Sequence, residues 1–223
     1  MLKKVIIIGV ILIVLGAIAF MLVPWGEYES KLEKSEIEKV VEVDSISGEI
    51  IPSMSLIEGK YAVESGENSQ AEITFQLDGL KNTKGGFDKF SIDLKIPEEY
   101  TESKLKVEIQ AKSINTGNEM RDEHLLEEDF FDTKKFPKIT FESEVVEFLD
   151  SSYVAKGNLT LLKETKPLEV PFKHLGAGKN DAGKEFEAFE GTFSFDRIAF
   201  GMKESASVGN IVTVSFYCEL IKK

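Results

Sequence analysis

Thiols are nearly absent. Cys218 is the only cysteine in 223 residues, so no internal disulfide can form and the fold must be held by its core. A thiolate zinc site is excluded for the same reason. A basic excess is also missing. Asp and Glu number 39 against 27 Lys and Arg, a formal net charge of −12. Nucleic acid would want a basic face, and so would broad adhesion to anionic lipid; the acidity reads as solubility. Histidine is limited to His124 and His174. His124 with Glu128 is a weak pair for a metal, and His174 reads as an ordinary strand-end residue. The sequence contains no Gly-x-Ser-x-Gly, His-Glu-x-x-His, P-loop or Gly-x-Gly-x-x-Gly pattern, and no nucleophile–base pair can be named. The chain is therefore expected not to be an enzyme, with no catalytic residue, no metal site and no cofactor.

Long apolar runs are confined to the N-terminus. Lys3 and Lys4 precede the run Val5–Val23. As a helix it would be about 28 Å long at about 1.5 Å per residue, close to the roughly 30 Å hydrocarbon core of a bilayer. Pro24, Trp25, Glu27 and Glu29 follow, and Trp suits the membrane interface. Residues 1–25 are read as a membrane anchor with its positive flank in the cytoplasm. A cleaved signal segment is the alternative: Val5–Gly16 fits an h-region, and Ala17-Ile18-Ala19 fits a small-x-small cut. Phe20–Val23 prolong the run past that cut and favour the anchor. Without a lipobox cysteine, lipoprotein processing is excluded. Either reading puts the rest of the chain outside the cytoplasmic membrane, facing the periplasm or exterior; in the alternative it is secreted.

Residues 26–57 read as an acidic linker. Glu27–Glu42 is dense in Glu and Lys, and fits a polar amphipathic helix or a flexible spacer. Ser45–Ser55 fits a loop entering the domain. From residue 58 to 223 the period is two. Apolar residues alternate with polar ones through Phe90–Ile96 and Leu105–Ala111. The same alternation marks Ile73–Leu77, Ile139–Val145 and Tyr153–Leu161, then Leu168–Phe172, Phe189–Phe195 and Val212–Leu220. One face is dry and the other wet. Lys84-Gly85-Gly86, Asp150–Ser152, Gly176–Gly183 and Gly209-Asn210 read as turns. The pattern predicts an all-β meander of about eight strands, closed into an antiparallel barrel. One insertion breaks it: Asn118–Thr133 is predicted as a helix capped by Asn118, with Leu125, Leu126 and Phe130 as its buried stripe and a position suited to plugging or gating one barrel end.

Phenylalanine is abundant, with 16 copies. It brings apolar area without a polar handle. An ordinary aromatic core and a Phe-lined cavity both fit. Phe75, Phe90, Phe141, Phe172, Phe193, Phe195 and Phe216 are the tunnel candidates. Strict alternation gives Arg197 the parity of Phe193 and Phe195, so an inward face would set a guanidinium at the tunnel mouth, suited to a phosphate or carbonyl head group.

Ser113-Ile-Asn-Thr116, Met120-Arg-Asp-Glu-His-Leu125, Asp129-Phe-Phe-Asp132 and Phe136-Pro-Lys-Ile-Thr-Phe-Glu-Ser143 together resemble the signature stretch of the YceI-like family. Gly157-Asn-Leu-Thr-Leu161 with Thr165-Lys-Pro167, and Arg197-Ile-Ala-Phe-Gly201, are similar to its later motifs. The resemblance runs from about Gly59 to the C-terminus. Tyr61 stands where the family usually has Trp, and the glycine usual before "TKP" is replaced around Lys163. The resemblance implies a lipocalin-like eight-stranded barrel that holds a polyisoprenoid, an isoprenoid quinone or a prenyl phosphate. The expected function is binding, storage or transport of a long-chain isoprenoid lipid; a filled envelope barrel with no ligand is the alternative. The expected partners are that lipid and, through the N-terminal helix, the membrane; a homodimer stays open.

The charge flank yields a topology prediction. An export-dependent reporter fused after Lys223 is expected to be active and a cytoplasm-dependent one silent. The reverse pattern would contradict the orientation.

Overall fold

The computed structural model describes residues 28–30, 32, 34–39, 52–65, 69–79, 82–149, 152–205 and 208–223. The apolar run Val5–Val23 lies outside them, and among the described residues no helix is long and apolar enough to cross a membrane. The strands in chain order are β1 (Glu38–Lys39), β2 (Gly59–Glu64), β3 (Ala71–Gly79), β4 (Thr83–Phe87), β5 (Phe90–Ile96) and β6 (Lys104–Gln110). They continue as β7 (Ile114–Asn115), β8 (Lys138–Leu149), β9 (Ser152–Leu161), β10 (Glu164–Lys179), β11 (Glu185–Asp196) and β12 (Val208–Lys222).

Three of the barrel staves are each broken in two. β2 and β3 both pair with β12, β5 pairs with β2 while β4 pairs with β3, and β6 and β7 pair with β5 and β4 respectively. Joined in this way, the pairs form a ring of eight antiparallel staves that closes where β11 meets both β10 and β12. Because each stave is followed by its neighbour, the topology is the expected meander, and closure consumes the ladder groups an open edge would expose. One barrel end gathers the β3–β4 turn, the segment 116–137, the β9–β10 turn and the loop after β11. The other gathers the β5–β6, β8–β9 and β10–β11 turns.

Local irregularities correct the sequence reading. Lys84-Gly85-Gly86, read as a turn, belongs to β4. These glycines serve close approach: a Cβ on Gly85 would lie 2.5 Å from the Phe75 ring, and one on Gly86 2.7 Å from the Tyr28 hydroxyl. The register of β8 against β9 shifts between Ser143 and Val145. The bulge moves the inward parity from Ile139, Phe141 and Ser143 to Val146, so Val145 does not continue the inner face. Leu162, in the β9–β10 turn beside Lys163, has φ +55°. That left-handed geometry costs a branched residue about 1–2 kcal/mol relative to glycine, and packing of Leu162 against the core offsets it.

The predicted helix is present but short. Helix α1 spans Glu119–Leu125, with the Asn118 side chain accepting from the Arg121 amide at 3.0 Å. Glu127, Glu128 and Asp129 follow its last turn, where negative charge opposes the helix dipole. The chain then leaves the helix through turns, with Phe131 donating to the Leu125 carbonyl and Asp132 at φ +40°.

The linker also differs from expectation. Its described residues 28–30, 32 and 34–39 hold no helix and run along the outer wall, and Ser53–Leu56 form a short helical turn. β1 pairs with β10, Leu32 and Ile37 pack on Phe186, Ala188 and Tyr217, and the Lys34 ammonium sits 4.2 Å from the centre of the Tyr217 ring. Glu219, buried beneath it, accepts from the Ser35 amide (2.9 Å), the Ser35 hydroxyl (2.8 Å) and the Tyr217 hydroxyl (2.8 Å). These bonds satisfy a carboxylate that would otherwise be costly to bury.

Candidate functional site

The barrel encloses a cavity of about 290 Å³. That is roughly twice the volume, about 150 Å³, of a dry apolar cavity that holds a benzene ring. Inward residues of the staves line it, among them Ile92, Leu94, Val107, Leu159, Val170 and Val214. Of the tunnel candidates, Phe75, Phe141, Phe172, Phe193, Phe195 and Phe216 all reach the cavity. Phe90 is buried in the core but is not part of the lining. Phe87, Phe130, Phe131 and Phe189 also line it. Phe130, expected in the buried stripe of the helix, reaches the cavity; Phe131 was not foreseen, because it sits in the irregular segment after α1, where no period-two pattern can reveal an inward side chain.

Polar groups gather at the end covered by α1. Arg121, His124, Arg197 and Ser205 contribute to the lining there. Arg197 follows β11 in a helical conformation rather than extending its alternation, yet its side chain turns inward and is 2 % exposed. Its guanidinium donates to the backbone carbonyls of Lys203 (2.7 Å), Gly209 (2.9 Å) and Val208 (3.4 Å). Those bonds hold the loop between β11 and β12. Arg121 donates from Nε to the Thr116 hydroxyl and from a terminal nitrogen to the Thr116 carbonyl, both at 2.7 Å. The Thr116 hydroxyl bonds in turn to Asp122, which also accepts from the Thr116 amide at 3.0 Å. Thr116, Arg121 and Asp122 thus tie α1 to the end of β7. Burial draws both guanidinium pKa values below the usual arginine range. The turn after α1 reaches the loop after β11: the Lys203 amide donates to the Asp129 carbonyl at 3.1 Å, and their side chains form an ion pair. His124 packs edge-on to Phe130, with ring centres 5.3 Å apart.

A second polar cluster lies beyond the other end of the cavity. His174 bonds through Nδ1 to the Ser53 hydroxyl at 2.9 Å and through Nε2 to Glu187 at 2.7 Å. A serine–histidine contact of this kind was not foreseen, because Ser53 stood in a stretch read as linker. Ser53 is buried, is held by the Tyr153 hydroxyl at 3.0 Å, and is not part of the cavity lining.

Known proteins of similar sequence and shape agree with this architecture. The pattern of the YceI-like domain matches residues 61–220. A UPF0312 protein of Shewanella baltica is 32% identical over 162 residues, covering 71% of this chain and 84% of its own length. A UPF0312 protein of Vibrio cholerae is 28% identical over 167 residues, covering 73% and 87%. The Campylobacter jejuni YCEI protein superposes with a TM-score of 0.58 at 28% identity, covering 64% of this chain and 86% of that one. Burkholderia cenocepacia BcnA gives a TM-score of 0.60 at 23% identity over 69% of this chain and 97% of its own. A polyisoprenoid-binding domain from Saccharophagus degradans gives 0.52 at 12% identity over 75% and 100%. The last two, at such low identity, speak to fold alone.

Cys218 lines the cavity, and burial pushes its thiol up to about 12. An unfolded thiol ionises near about 8.5. The folded chain therefore holds the proton through the interval between these values, and this group's contribution to stability is lost as pH rises through it. Iodoacetamide at pH near 8 is expected to leave the native thiol unmodified and to alkylate it once denaturant unfolds the domain. Equal rates in both states would contradict the burial of Cys218.

Proposed function

The chain belongs to the YceI-like family, and from that premise we propose that it binds, stores or transports a long-chain isoprenoid lipid with the tail in the barrel cavity. The observation that carries this reading is a closed barrel with a predominantly apolar lining around about 290 Å³. Burial of apolar ligand surface yields about 25 cal/mol per Å² before association costs. A chain of isoprene units can thus be held with few polar contacts. The polyisoprenoid-binding domain of S. degradans shares the fold, so the fold is compatible with this class of ligand. In this reading a phosphate or carbonyl head group lies near Arg197, beside Arg121 and His124. Catalysis is not part of the reading, since Ser53 and His174 lie outside the cavity lining. Residues 1–25 hold the protein in the cytoplasmic membrane, with the barrel on the periplasmic or exterior side. The support for this last point is the Lys3–Lys4 flank and the length of Val5–Val23.

The test uses Cys218→Trp. Enlarging a residue in a packed core costs about 1–3 kcal/mol. In an open cavity the added ring has room, so the denaturant midpoint is expected to stay near that of the wild type while uptake of a fluorescent prenyl lipid is lost. A large stability loss, together with no uptake by the wild type, would favour a filled barrel instead. With Arg197→Ala, affinity for a prenyl phosphate is expected to fall by about 1.5–3 kcal/mol and affinity for the neutral prenol by much less. Equal losses would confine Arg197 to holding its loop.

A further inference from the structure

Contacts along the outer wall fix where the N-terminal segment meets the barrel. The Tyr28 hydroxyl lies over Gly86, where a Cβ would come within 2.7 Å of it. Burial, with the charges of Glu72 and Asp88 nearby, pushes this phenol up to about 12. Ser30 hydrogen-bonds Glu72, the Lys34 ammonium pairs with Glu190 at 3.7 Å, and Ser35 is bonded twice to Glu219. β1 then pairs with β10 at Gly176 and Ala177. The segment is thus secured on β4, β3, β12, β11 and β10, and its first anchored side chain is Tyr28.

Gly86 is not midway along its stave. β4 and β5 form one stave that runs from Thr83, at the α1 end, to Ile96, at the opposite end. At about 3.3 Å per residue, Gly86 is roughly 10 Å from the first of these and roughly 33 Å from the second. Asn115, paired with Gly86, runs directly into Thr116, whose amide is bonded to Asp122 of α1. Tyr28 therefore joins the barrel in the half that carries the helix.

The covalent chain limits how far this half can stand from a membrane. Tyr28 follows Trp25 by three residues, which span at most about 11 Å at about 3.6 Å each. With Trp25 at the interface, the α1 end of the stave stays within about 20 Å of the lipid surface at any tilt of the barrel. The opposite end cannot take its place. Pointed at the membrane, it would sink Glu98 and Glu99 of the β5–β6 turn below the interface, where carboxylates are costly. Surface attraction is not what holds the α1 end there. Glu119, Glu123, Glu127 and Glu128 are exposed on it, and anionic lipid repels them.

We propose that the short tether holds the barrel with its α1 end towards the outer surface of the cytoplasmic membrane, so that the cavity exchanges its ligand directly with that surface. The end in question is the one where Arg121, His124 and Arg197 enter the lining. The proposal rests on the membrane-anchor and lipid-binding readings above.

The experiment places a fluorescent donor on a single cysteine of the full chain, at Asn82→Cys or Glu98→Cys, exposed positions at the two ends of the same stave. Labelling is done in the native state, where Cys218 is buried. The protein is reconstituted into phosphatidylcholine vesicles that carry an acceptor dye on the lipid head group. Energy transfer is expected to be greater from position 82 than from position 98. Inserting about 20 Gly and Ser residues between Glu27 and Tyr28 adds roughly 25 Å of reach; it is expected to remove the difference and to slow uptake of a fluorescent prenyl lipid from the vesicles. Equal transfer from the two positions in the uninserted chain, or a difference that survives the insertion, overturns the tethered orientation. Uptake unchanged by the insertion overturns direct exchange. A full chain that does not float with the vesicles overturns the anchor reading, and one that floats but takes up no lipid overturns the lipid-binding reading.

Discussion

Closure of the sheet governs the rest of this molecule. Once β11 joins β10 to β12, strand pairing runs around the ring and, between the bulges, alternate side chains face the interior. A ring of eight staves has an interior only just wide enough to be filled by side chains or to hold one slim ligand. Side-chain choice decides between these outcomes. Here aromatic rings and aliphatic side chains line the wall together, and a cavity of about 290 Å³ remains. The formal net charge of −12 has little bearing on that interior, because acidic side chains fall largely on the opposite parity, as Asp93, Glu142 and Glu144 do.

The two ends are finished differently, and the difference gives the cavity a direction. At one end α1 and the turns after it lie over the staves, tied down by Thr116, Arg121 and Asp122 and joined to the loop after β11 through Asp129 and Lys203. Cationic side chains enter the lining there. Arg121 and Arg197 are buried on hydroxyl and carbonyl partners that stabilise each guanidinium, with Asp122 acting on the first and Asp196 and Glu204 on the second. At the other end the finish is apolar and hydrogen-bonded, with Met54 under Tyr153. A ligand with a polar head and an apolar tail fits this asymmetry in only one orientation.

Much of the wall was legible in the sequence. The alternation in Phe90–Ile96 and Leu105–Ala111 shows directly which side chains face inward, because the period of a strand is a local property. The Asn118 cap was legible for the same reason. Features that depend on distant partners were not. The bulge at Ser143–Val145 reverses parity within one strand, and only the register against Gly157 reveals it. Gly85 and Gly86 read as a turn because nothing local shows that Phe75 and Tyr28 lie over them. The network from Ser53 to Glu187 includes a direct bond between residues 121 positions apart, and its serine lay in a stretch whose composition suggests a loop. Residues 28–39 carry charges typical of a spacer, yet Leu32 and Ile37 find an apolar patch on the wall that only the folded barrel creates.

The central claim is that the barrel carries a lipid rather than a packed core. Native mass spectrometry of the full chain, purified from its own cells without added lipid, addresses it most directly. The account predicts a population heavier than the bare polypeptide by the mass of a prenyl lipid, with the excess removed by organic-solvent extraction and restored on incubation with the extract. A bare polypeptide mass throughout, with nothing regained from the extract, would contradict it.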